Sequence, residues 1–348
     1  MTTSKPERTE QLDDSRARAL EVLRVSKSFL LTGHQRPDGD CIGAQAALAR
    51  VLESLGARVH IVNPDPPEER YHYLSNEIEY GVYHEGDVLP EHDVCILLDC
   101  SELSRCGDLG TALGAVDSAK MVIDHHPHET SEWWSEAYRD VSASATGLLI
   151  HRIAGQLGVT LDAVACKGVF TSMVTDTGWF KYSNTDAETL RAAAQLIDAG
   201  LDPDEMYRAI YQAKPADHPT ALAKILDRLT YYADGRLGVL DVPLDAGLDS
   251  SRLDSEDALD LVRAVSTVEV VLFLKEVEPK RWKLSARSKT TFDVNRLARQ
   301  FGGGGHAKAA GAMLDGDFEG LRASIIRVAA EGLSQDASSS GPLQKSTP

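Results

Sequence analysis

Short apolar runs alternate with helix-like segments through the first half of the chain, and this alternation limits the folds open to it. Four runs have the length and composition of strands: residues 29–32, 58–62, 94–98 and 121–123. Residues 41–55 predict a helix that ends at Gly56, a residue typical of helix C-termini. Strands that alternate with helices predict an α/β fold with a mostly parallel sheet flanked by helices.

Carboxylates and imidazoles follow the predicted strands. They are His34, Asp38 and Asp40 after the first strand, Asp99 after the third, and Asp124, His125 and His126 after the fourth. Asp176 follows a later predicted helix at 161–175. Ligands of parallel sheets bind beyond the carboxyl ends of the strands, so we expect these side chains to converge at one edge of the sheet.

Each of these residues has a simpler interpretation on its own. The Asp-Gly-Asp stretch at 38–40 is typical of a turn, and Asp99 of a helix N-cap. One of the two adjacent histidines could be a buried, hydrogen-bonded ring, and Asp176 alone is a weak signal. The complete set favours a metal site, because clustered carboxylates repel one another unless a cation is bound.

The donor types indicate which metal would bind. Carboxylate mixed with imidazole, without cysteine, disfavours structural zinc and suits Mn²⁺ or Mg²⁺, with other divalent ions left open. One histidine with several aspartates favours Mn²⁺. The donors are numerous enough for two ions that share a carboxylate, and such a pair can stabilise both the attacking and the leaving oxygens of a phosphoryl transfer.

The charge balance restricts the partners of the chain. A net charge of −17 argues against a broad surface for long duplex nucleic acid. Five cysteines without a CxxC pair predict free thiols in a reducing compartment. The N-terminus lacks the apolar core of a signal peptide, and no apolar run has the length of a membrane span. We therefore expect a cytoplasmic protein without a membrane association.

The 348-residue length is sufficient for two domains. We expect a disordered N-terminus at 1–12, a metal-binding catalytic domain at 13–200, a helical linker at 201–230, a substrate-binding domain at 231–334 and a disordered tail at 335–348. The second domain is expected to be a smaller α/β unit, with Asp293 as the N-cap of a short helix at 293–300. A cleft between the two domains would hold the substrate.

The second domain also contains the expected substrate contacts. Residues 275–308 hold nine Lys or Arg against three Asp or Glu. Arg287 is the strongest candidate for a phosphate contact, because a guanidinium can bind phosphate through two parallel hydrogen bonds. The run Gly302, Gly303, Gly304 and Gly305, followed by His306, would let backbone N–H groups approach a phosphate, although four glycines alone are also typical of a hinge.

Five sequence motifs together resemble a known family. HQRPDGD at 34–40, LLDCS at 97–101, VIDHHP at 122–127 and VTDTG at 174–178 resemble, in this order, the four motifs of the DHH phosphoesterase family. GGGGH at 302–306 resembles its DHH-associated C-terminal domain, so that the resemblance covers about residues 30–330. The chain departs from the family pattern at Arg36, Cys41 and Ala44, where Asn, Ala and Ser are frequent; the first two are not ligand positions, whereas any role of the serine hydroxyl is missing.

The resemblance implies a role for each motif residue. The first ion would be held by His34 and Asp38, the second by Asp40, His125 and Asp176, and both by Asp99. His126 would donate a hydrogen bond or a proton beside the attacked phosphate, and Asp124 would orient the adjacent histidines. The implied activity is hydroxide attack on phosphorus at a two-Mn²⁺ site.

Length and motif order are most similar to the family group that trims short oligoribonucleotides to mononucleotides and converts 3′-phosphoadenosine-5′-phosphate (pAp) to AMP. A linear or cyclic dinucleotide phosphodiesterase, an exopolyphosphatase or pyrophosphatase, and a nucleotide-sensing binding protein are the alternatives. A homodimer is implied by the resemblance alone. The preferred substrate, the direction of attack on RNA and the metal used in the cell stay open.

Overall fold

The computed structural model describes residues 5–127, 133–246 and 255–339, with the side chains of 5–13 and 336–339 outside that description. The chain divides into two compact units, Met1–Ala213 and Lys214–Pro348. Across the described ranges, no helix combines the length and the apolar character needed to cross a bilayer.

The first unit is built on a six-stranded, fully parallel sheet. Its strands are β1 Ser28–Thr32, β2 Arg58–Asn63, β3 Gly81–Val82, β4 Val94–Leu98, β5 Ala119–Asp124 and β6 Glu136–Arg139. Its helices are α1 Lys5–Val25, α2 Gly39–Ser54, α3 His72–Ser75, α4 Gly107–Ala115, α5 Thr146–Leu157, α6 Ala163–Asp176, α7 Ala187–Asp198 and α8 Pro203–Tyr211, with 3₁₀ turns at Glu69–Tyr71 and Leu103–Cys106.

Strands β1 and β4 lie at the centre of this sheet and are buried along their whole length. Their side chains alternate between two cores. Phe29 and Leu31 join the core formed with α2, α5 and α6, whereas Leu30 and Leu97 join the core on the other face. A strand covered on both faces must be apolar at every position, which explains the continuous apolar runs in the sequence.

The strand order is β3-β2-β1-β4-β5-β6, so the chain reverses direction across the sheet between β1 and β4. In parallel sheets the crevice at such a reversal is where ligands bind. The loops after β1 and after β4 carry His34 and Asp99 to this point. The predicted α/β class and the parallel sheet are confirmed.

The second unit has a mixed six-stranded sheet in the order β11-β12-β10-β9-β8-β7. Its strands are β7 Thr230–Tyr232, β8 Leu237–Val242, β9 Val270–Glu278, β10 Arg281–Ser288, β11 Gly304–Gly305 and β12 Ala309–Asp315; its helices are α9 His218–Leu226, α10 Ser255–Arg263, α11 Val294–Arg299 and α12 Phe318–Ser339. Only β8 and β9 pair in parallel among these strands. Asp293 is the N-cap of α11, as predicted, and accepts the N–H groups of Asn295 and Arg296.

The terminal segments differ from the sequence expectations. Helix α1 begins at Lys5, inside the segment 1–12 that we expected to be disordered. It packs along edge strand β6, where Ser15 Oγ donates to Ala137 O at 3.0 Å and Arg16 Nη2 donates to Arg139 O at 2.6 Å. This partner lies more than 120 residues away, so local sequence does not reveal it. Residues 1–4 lie outside the described residues.

Two further expected segments, the linker and the C-terminal tail, also differ from the structure. The expected linker at 201–230 is not one element, because α8 belongs to the first unit and α9 to the second. The expected disordered tail at 335–348 begins within α12, which runs to Ser339 and is anchored by the buried side chains of Ile325, Ala329 and Leu333. Residues 340–348 lie outside the described residues.

Candidate metal centre

Residues from four elements converge at the carboxyl edge of the first sheet. His34 follows β1, Asp99 follows β4, Asp124 ends β5 and Asp176 ends α6. Burial is nearly complete for most of them: His34 is 7% exposed, Asp40 2%, Asp99 2%, Asp124 0% and His125 6%. The predicted convergence is therefore present, and it places several carboxylates in a region with little water.

Three of these side chains make up the first ligand group, defined as His34, Asp38 and Asp99. His34 Nε2 lies 3.3 Å from Asp99 Oδ2 and 4.0 Å from Asp38 Oδ1. Asp38 is also the N-cap of α2, because its Oδ1 accepts the N–H groups of Asp40 and Cys41 at 3.0 and 3.2 Å. The turn interpretation and the ligand interpretation of the Asp-Gly-Asp stretch are thus compatible.

The second ligand group is defined as Asp40, His125 and Asp176. His125 Nε2 lies 3.4 Å from Asp40 Oδ2 and 3.8 Å from Asp176 Oδ2. In both ligand groups the candidate ligand atoms lie within 4.8 Å of one another. This spacing allows one cation to contact all three residues of a group.

Asp99 faces both ligand groups. Its Oδ2 is directed at His34, while its Oδ1 lies 3.7 Å from His125 Nε2. The residue has a φ of 62°, in the left-handed region that non-glycine residues rarely adopt. Such backbone strain costs on the order of 1–3 kcal/mol and persists only where surrounding structure enforces it. The strained backbone at Asp99 directs its carboxylate between the first and the second ligand group.

The histidine ring orientations suit metal ligation. His34 Nδ1 lies 2.9 Å from Gln35 O, and His125 Nδ1 lies 3.1 Å from Ala143 O. A carbonyl oxygen can only accept, so each Nδ1 carries a proton in these hydrogen bonds. Nε2 is then the ring nitrogen that would bind a cation in each histidine, although His34 Nε2 here donates to Asp99 instead. Both Nε2 atoms are directed into the carboxylate cluster.

The electrostatics of the cluster also fit a cation. Burial, followed by the charges of Asp99 and Asp176, raises the pKa of Asp40 well above its usual range. Burial, partly offset by His125 and reinforced by Asp99, raises the pKa of Asp176 to about 6. Burial acts to raise the pKa of Asp99 as well, but the hydrogen bond with His34 holds it far below its ordinary value. Divalent cations would relieve the burial cost and the carboxylate repulsion that raise the pKa of Asp40 and Asp176.

His126 and Asp124 form a separate hydrogen-bonded unit beside Asp99. Asp124 Oδ1 accepts hydrogen bonds from His126 Nδ1 (2.8 Å) and from the His126 backbone N–H (3.0 Å). Asp124 Oδ2 accepts one from the Ser101 hydroxyl at 2.6 Å. Burial lowers the pKa of His126, but the hydrogen bond to Asp124 and the nearby carboxylates raise it to about 9. The ring is therefore oriented with Nε2 as the nitrogen that could act on a substrate.

Sequence reasoning missed the groups that hold the carboxylates in place. Each donates a hydrogen bond to one or two of the carboxylates: Ser101 to Asp124, Thr146 to Asp40 and Asp99, Ser172 to Asp40, and Asn184 Nδ2 to Asp176 Oδ2 at 3.1 Å. One signal was available: α5 begins at Thr146, and Ala145 before it has no side chain able to cap the helix.

Arg105 was missed as well. Its backbone carbonyl accepts the Gln35 N–H at 2.7 Å, which docks the 3₁₀ turn Leu103–Cys106 against the loop that carries His34. Its guanidinium interacts electrostatically with Asp38 and Asp99. The positively charged guanidinium of Arg105 is therefore placed beside the carboxylate cluster, where it could face an anionic ligand.

The predicted phosphate contacts of the second unit are engaged within that unit. The guanidinium of Arg287 on β10 forms an ion pair with Glu256 on α10. The N–H groups of Gly302 and Gly303 donate to Arg299 O and Ala298 O at 3.2 and 2.9 Å, which caps α11. The expectation that the whole run Gly302–Gly305 offers its N–H groups to a phosphate is therefore wrong for these two residues.

The remaining members of the run and His306 also have structural tasks. Gly304 and Gly305 form strand β11, paired with β12 at Gly311 and Ala310. A Cβ at Gly303 would overlap the backbone of Gly311, so close strand packing requires glycine there. The His306 N–H donates to Ala309 O at 2.7 Å across the turn that follows.

Comparison with known proteins agrees with this fold and site. Residues 28–197 match the N-terminal domain of the DHH family, and residues 238–331 match the DHHA1 domain. The chain belongs to the DHH family and is a phosphoesterase.

Among characterised relatives, the chain is similar to the bifunctional oligoribonuclease and PAP phosphatase NrnA of Thermus thermophilus, at 33% identity over 298 residues that cover 85% of this chain and 87% of the relative. NrnA of Bacillus subtilis is 25% identical over 304 residues, covering 85% of this chain and 92% of the relative. The crystal structure of an exopolyphosphatase-related protein from Bacteroides fragilis has the same fold, with a TM-score of 0.83 at 23% identity, covering 93% of this chain and 96% of that one.

Proposed function

We propose that this protein is a divalent-metal-dependent phosphoesterase that hydrolyses short oligoribonucleotides to mononucleotides and pAp to AMP. The observation that carries the proposal is the pair of ligand groups joined through Asp99, whose two carboxylate oxygens face different groups. The substrate class is supported by the relatives, since two of them are bifunctional oligoribonucleases and PAP phosphatases and match along most of their length.

We assign one ion to the first ligand group and one to the second, with Asp99 shared. Bound ions at such a site would activate water and balance the negative charge that develops on the phosphoryl oxygens. All donors are oxygen or imidazole nitrogen, which supports Mn²⁺ as the preferred ion with Mg²⁺ as a substitute.

The chain's own contribution to the chemistry is the unit of Ser101, Asp124 and His126. Ser101 and the His126 backbone fix the Asp124 carboxylate, and this carboxylate fixes the imidazole. We assign His126 as the donor of a hydrogen bond or proton to the phosphoryl group. A preorganised donor of this kind contributes because it needs no reorientation during the reaction.

We assign recognition of a terminal nucleotide phosphate to the second unit, with Arg287 as the principal contact and His306 beside it. A phosphate would replace Glu256 as the partner of the Arg287 guanidinium. Gly304 and Gly305 are the members of the glycine run that we retain in this assignment. Catalysis is assigned to the first unit, within 13–200.

The test is turnover with Mn²⁺ on a fixed panel of pAp, a five-nucleotide RNA, pApA, cyclic di-AMP and tripolyphosphate. Comparable turnover of pAp, the five-nucleotide RNA and pApA, with little on cyclic di-AMP and tripolyphosphate, is the expected result. Activity confined to cyclic di-AMP or to tripolyphosphate would keep the metal assignment and overturn the substrate assignment. No turnover and no Mn²⁺ binding would favour a nucleotide-binding protein.

A further inference from the structure

The carboxylate of Asp40 caps a helix that begins 106 residues later in the chain. Helix α5 begins at Thr146, and Ala145 before it has no side-chain oxygen to cap the first turn. Asp40 Oδ2 accepts the Thr146 N–H at 2.9 Å, and Asp40 Oδ1 accepts the Gly147 N–H at 3.3 Å. The exposed N–H groups of a helix start favour a negative charge, so this contact stabilises the ionised carboxylate.

The hydrogen bonds that Asp40 accepts determine which of its oxygens is available to bind a cation. Its Oδ1 accepts the Ser172 hydroxyl and lies 3.3 Å from the Gly147 N–H, which also donates to Ser172 Oγ at 2.6 Å. Its Oδ2 accepts the Thr146 N–H at 2.9 Å and faces His125 Nε2 at 3.4 Å. Oδ2 is therefore the Asp40 oxygen that is directed at the second ligand group and would contact a cation there.

Thr146 contacts the shared carboxylate too. Its hydroxyl donates to Asp99 Oδ1 at 3.0 Å, the oxygen that faces the second ligand group. One residue therefore donates to two carboxylates, with its backbone N–H on Asp40 and its side chain on Asp99. The separation between these carboxylates is set by the geometry of a single residue at the start of a rigid helix.

Tight packing keeps this arrangement in place. Helices α2, α5 and α6 meet where Ser172 lies, and a Cβ at Gly147 would overlap the Ser172 hydroxyl. A Cβ at Gly43 would overlap the backbone of Gly168 and crowd that of Ser172. Glycine at these contacts lets the helix backbones approach closely enough for Ser172 and the first turn of α5 to reach the same carboxylate.

We propose that Thr146 is a positioning residue that holds the Asp40 and Asp99 carboxylates in place for cation binding, with Ser172 completing the contact on Asp40. The proposal rests on the metal assignment made under the proposed function. It assigns to Thr146 and Ser172 a role in metal affinity rather than in contact with substrate.

The proposal is tested by titrating the protein with Mn²⁺ alone and measuring the free ion by electron paramagnetic resonance. Thr146→Val removes the hydroxyl on Asp99 and keeps the backbone N–H on Asp40. Loss of such an outer contact typically weakens metal affinity by about 10- to 100-fold, so we expect Thr146→Val to shift at least one of the two Mn²⁺ dissociation constants by that factor. Thr146→Ser, which keeps the hydroxyl, should restore binding.

Thr189→Val is the matched control. The Thr189 hydroxyl is fully buried in the same unit, but its bonds go to Ser144 and Asp186, which belong to neither ligand group. This variant should bind Mn²⁺ as the wild type does, whatever it loses in melting temperature. Equal Mn²⁺ affinity in Thr146→Val and wild type would overturn the proposal, as would an equal loss in Thr189→Val.

A second variant covers the case in which Thr146→Val does not fold. Ser172→Ala removes a donor from Asp40, together with the acceptor of the Gly147 N–H, and leaves the Thr146 hydroxyl on Asp99. It should weaken one Mn²⁺ position by a similar factor; wild-type binding in this variant would overturn the proposal. The outcomes separate the two claims. Mn²⁺ binding that weakens in Thr146→Val, in a protein whose wild type cleaves no phosphoester, overturns the function alone. Turnover with unchanged Mn²⁺ binding in both variants overturns the positioning role alone.

Discussion

Asp99→Asn is the substitution that tests the shared ligand most directly. Asparagine keeps the size of the side chain and one oxygen but places an NH₂ group, which cannot bind a cation, toward either His34 or His125. One ligand group then loses its contact with the Asp99 carboxylate. Loss of one preorganised charge-stabilising contact costs about 10²- to 10³-fold in turnover, and a weakened metal position adds to it. We expect kcat to fall at least about 10³-fold, which corresponds to roughly 4 kcal/mol.

The assay measures kcat on pAp over a range of Mn²⁺ concentrations, so that weak binding and impaired chemistry are separated. Asp140→Asn is the matched control, with the same chemical change in the same unit. The Asp140 carboxylate accepts Ser142 N–H and Oγ and pairs with Arg152 at 2.8 Å, and it belongs to neither ligand group. Its turnover should stay within about twofold of the wild type, since surface and part-buried changes away from a site act on stability.

Two results would refute the reasoning. An Asp99→Asn protein that turns over within tenfold of the wild type at saturating Mn²⁺ would show that Asp99 is not shared by two required positions. An equal loss in Asp140→Asn would mean that the assay reports unfolding, because that carboxylate does not face the site.

Three other outcomes are expected. Burial acts to raise the pKa of Asp140, but its bonds to Ser142 and Arg152 hold that pKa below its ordinary value. The ionised Asp140 therefore stabilises the folded state fully above the unfolded pKa, near 3.9. This stabilisation is lost as the pH falls through the lower pKa of the folded state. Asp140→Asn should accordingly lower the free energy of unfolding by about 1–2 kcal/mol at pH 7 and by less at pH 3, measured by urea denaturation. Mn²⁺ at 100 times its dissociation constant should stabilise the protein by about 2.7 kcal/mol and EDTA should reverse this, whereas an unchanged melting temperature would contradict the metal assignment. Arg287→Ala should raise KM for pAp while sparing bis-p-nitrophenyl phosphate; an equal loss on both esters would remove Arg287 from recognition.

Much of the metal centre could be predicted because its residues sit at positions that local sequence defines. The apolar run at 94–98 is a strand with the predicted bounds, and the residue after it is Asp99. A parallel sheet brings all its carboxyl ends to one edge, so predicting the strands was sufficient to predict which side chains meet. The N-cap role of Asp293 was predictable for the same local reason, since a cap depends on the next three residues.

The substrate contacts were harder to predict because they depend on competition between partners. Basic character and glycine content are visible in the sequence, but the pairing of Arg287 with Glu256 is not. The amides of Gly302 and Gly303 are engaged by the end of α11, a contact set by where that helix stops. Composition can suggest a phosphate site, whereas the hydrogen bonds already formed decide which groups remain for a ligand.

The sequence by itself determined the α/β class, the parallel sheet and the set of carboxylates and imidazoles at its edge, because periodicity and short-range spacing encode strands and their ends. Only the tertiary structure decided that Asp99 adopts a left-handed backbone and faces both ligand groups, and that Thr146 holds Asp40 from across the chain. These features arise from contacts between segments about 50 to 100 residues apart, whose geometry is set by how helices pack rather than by any local pattern.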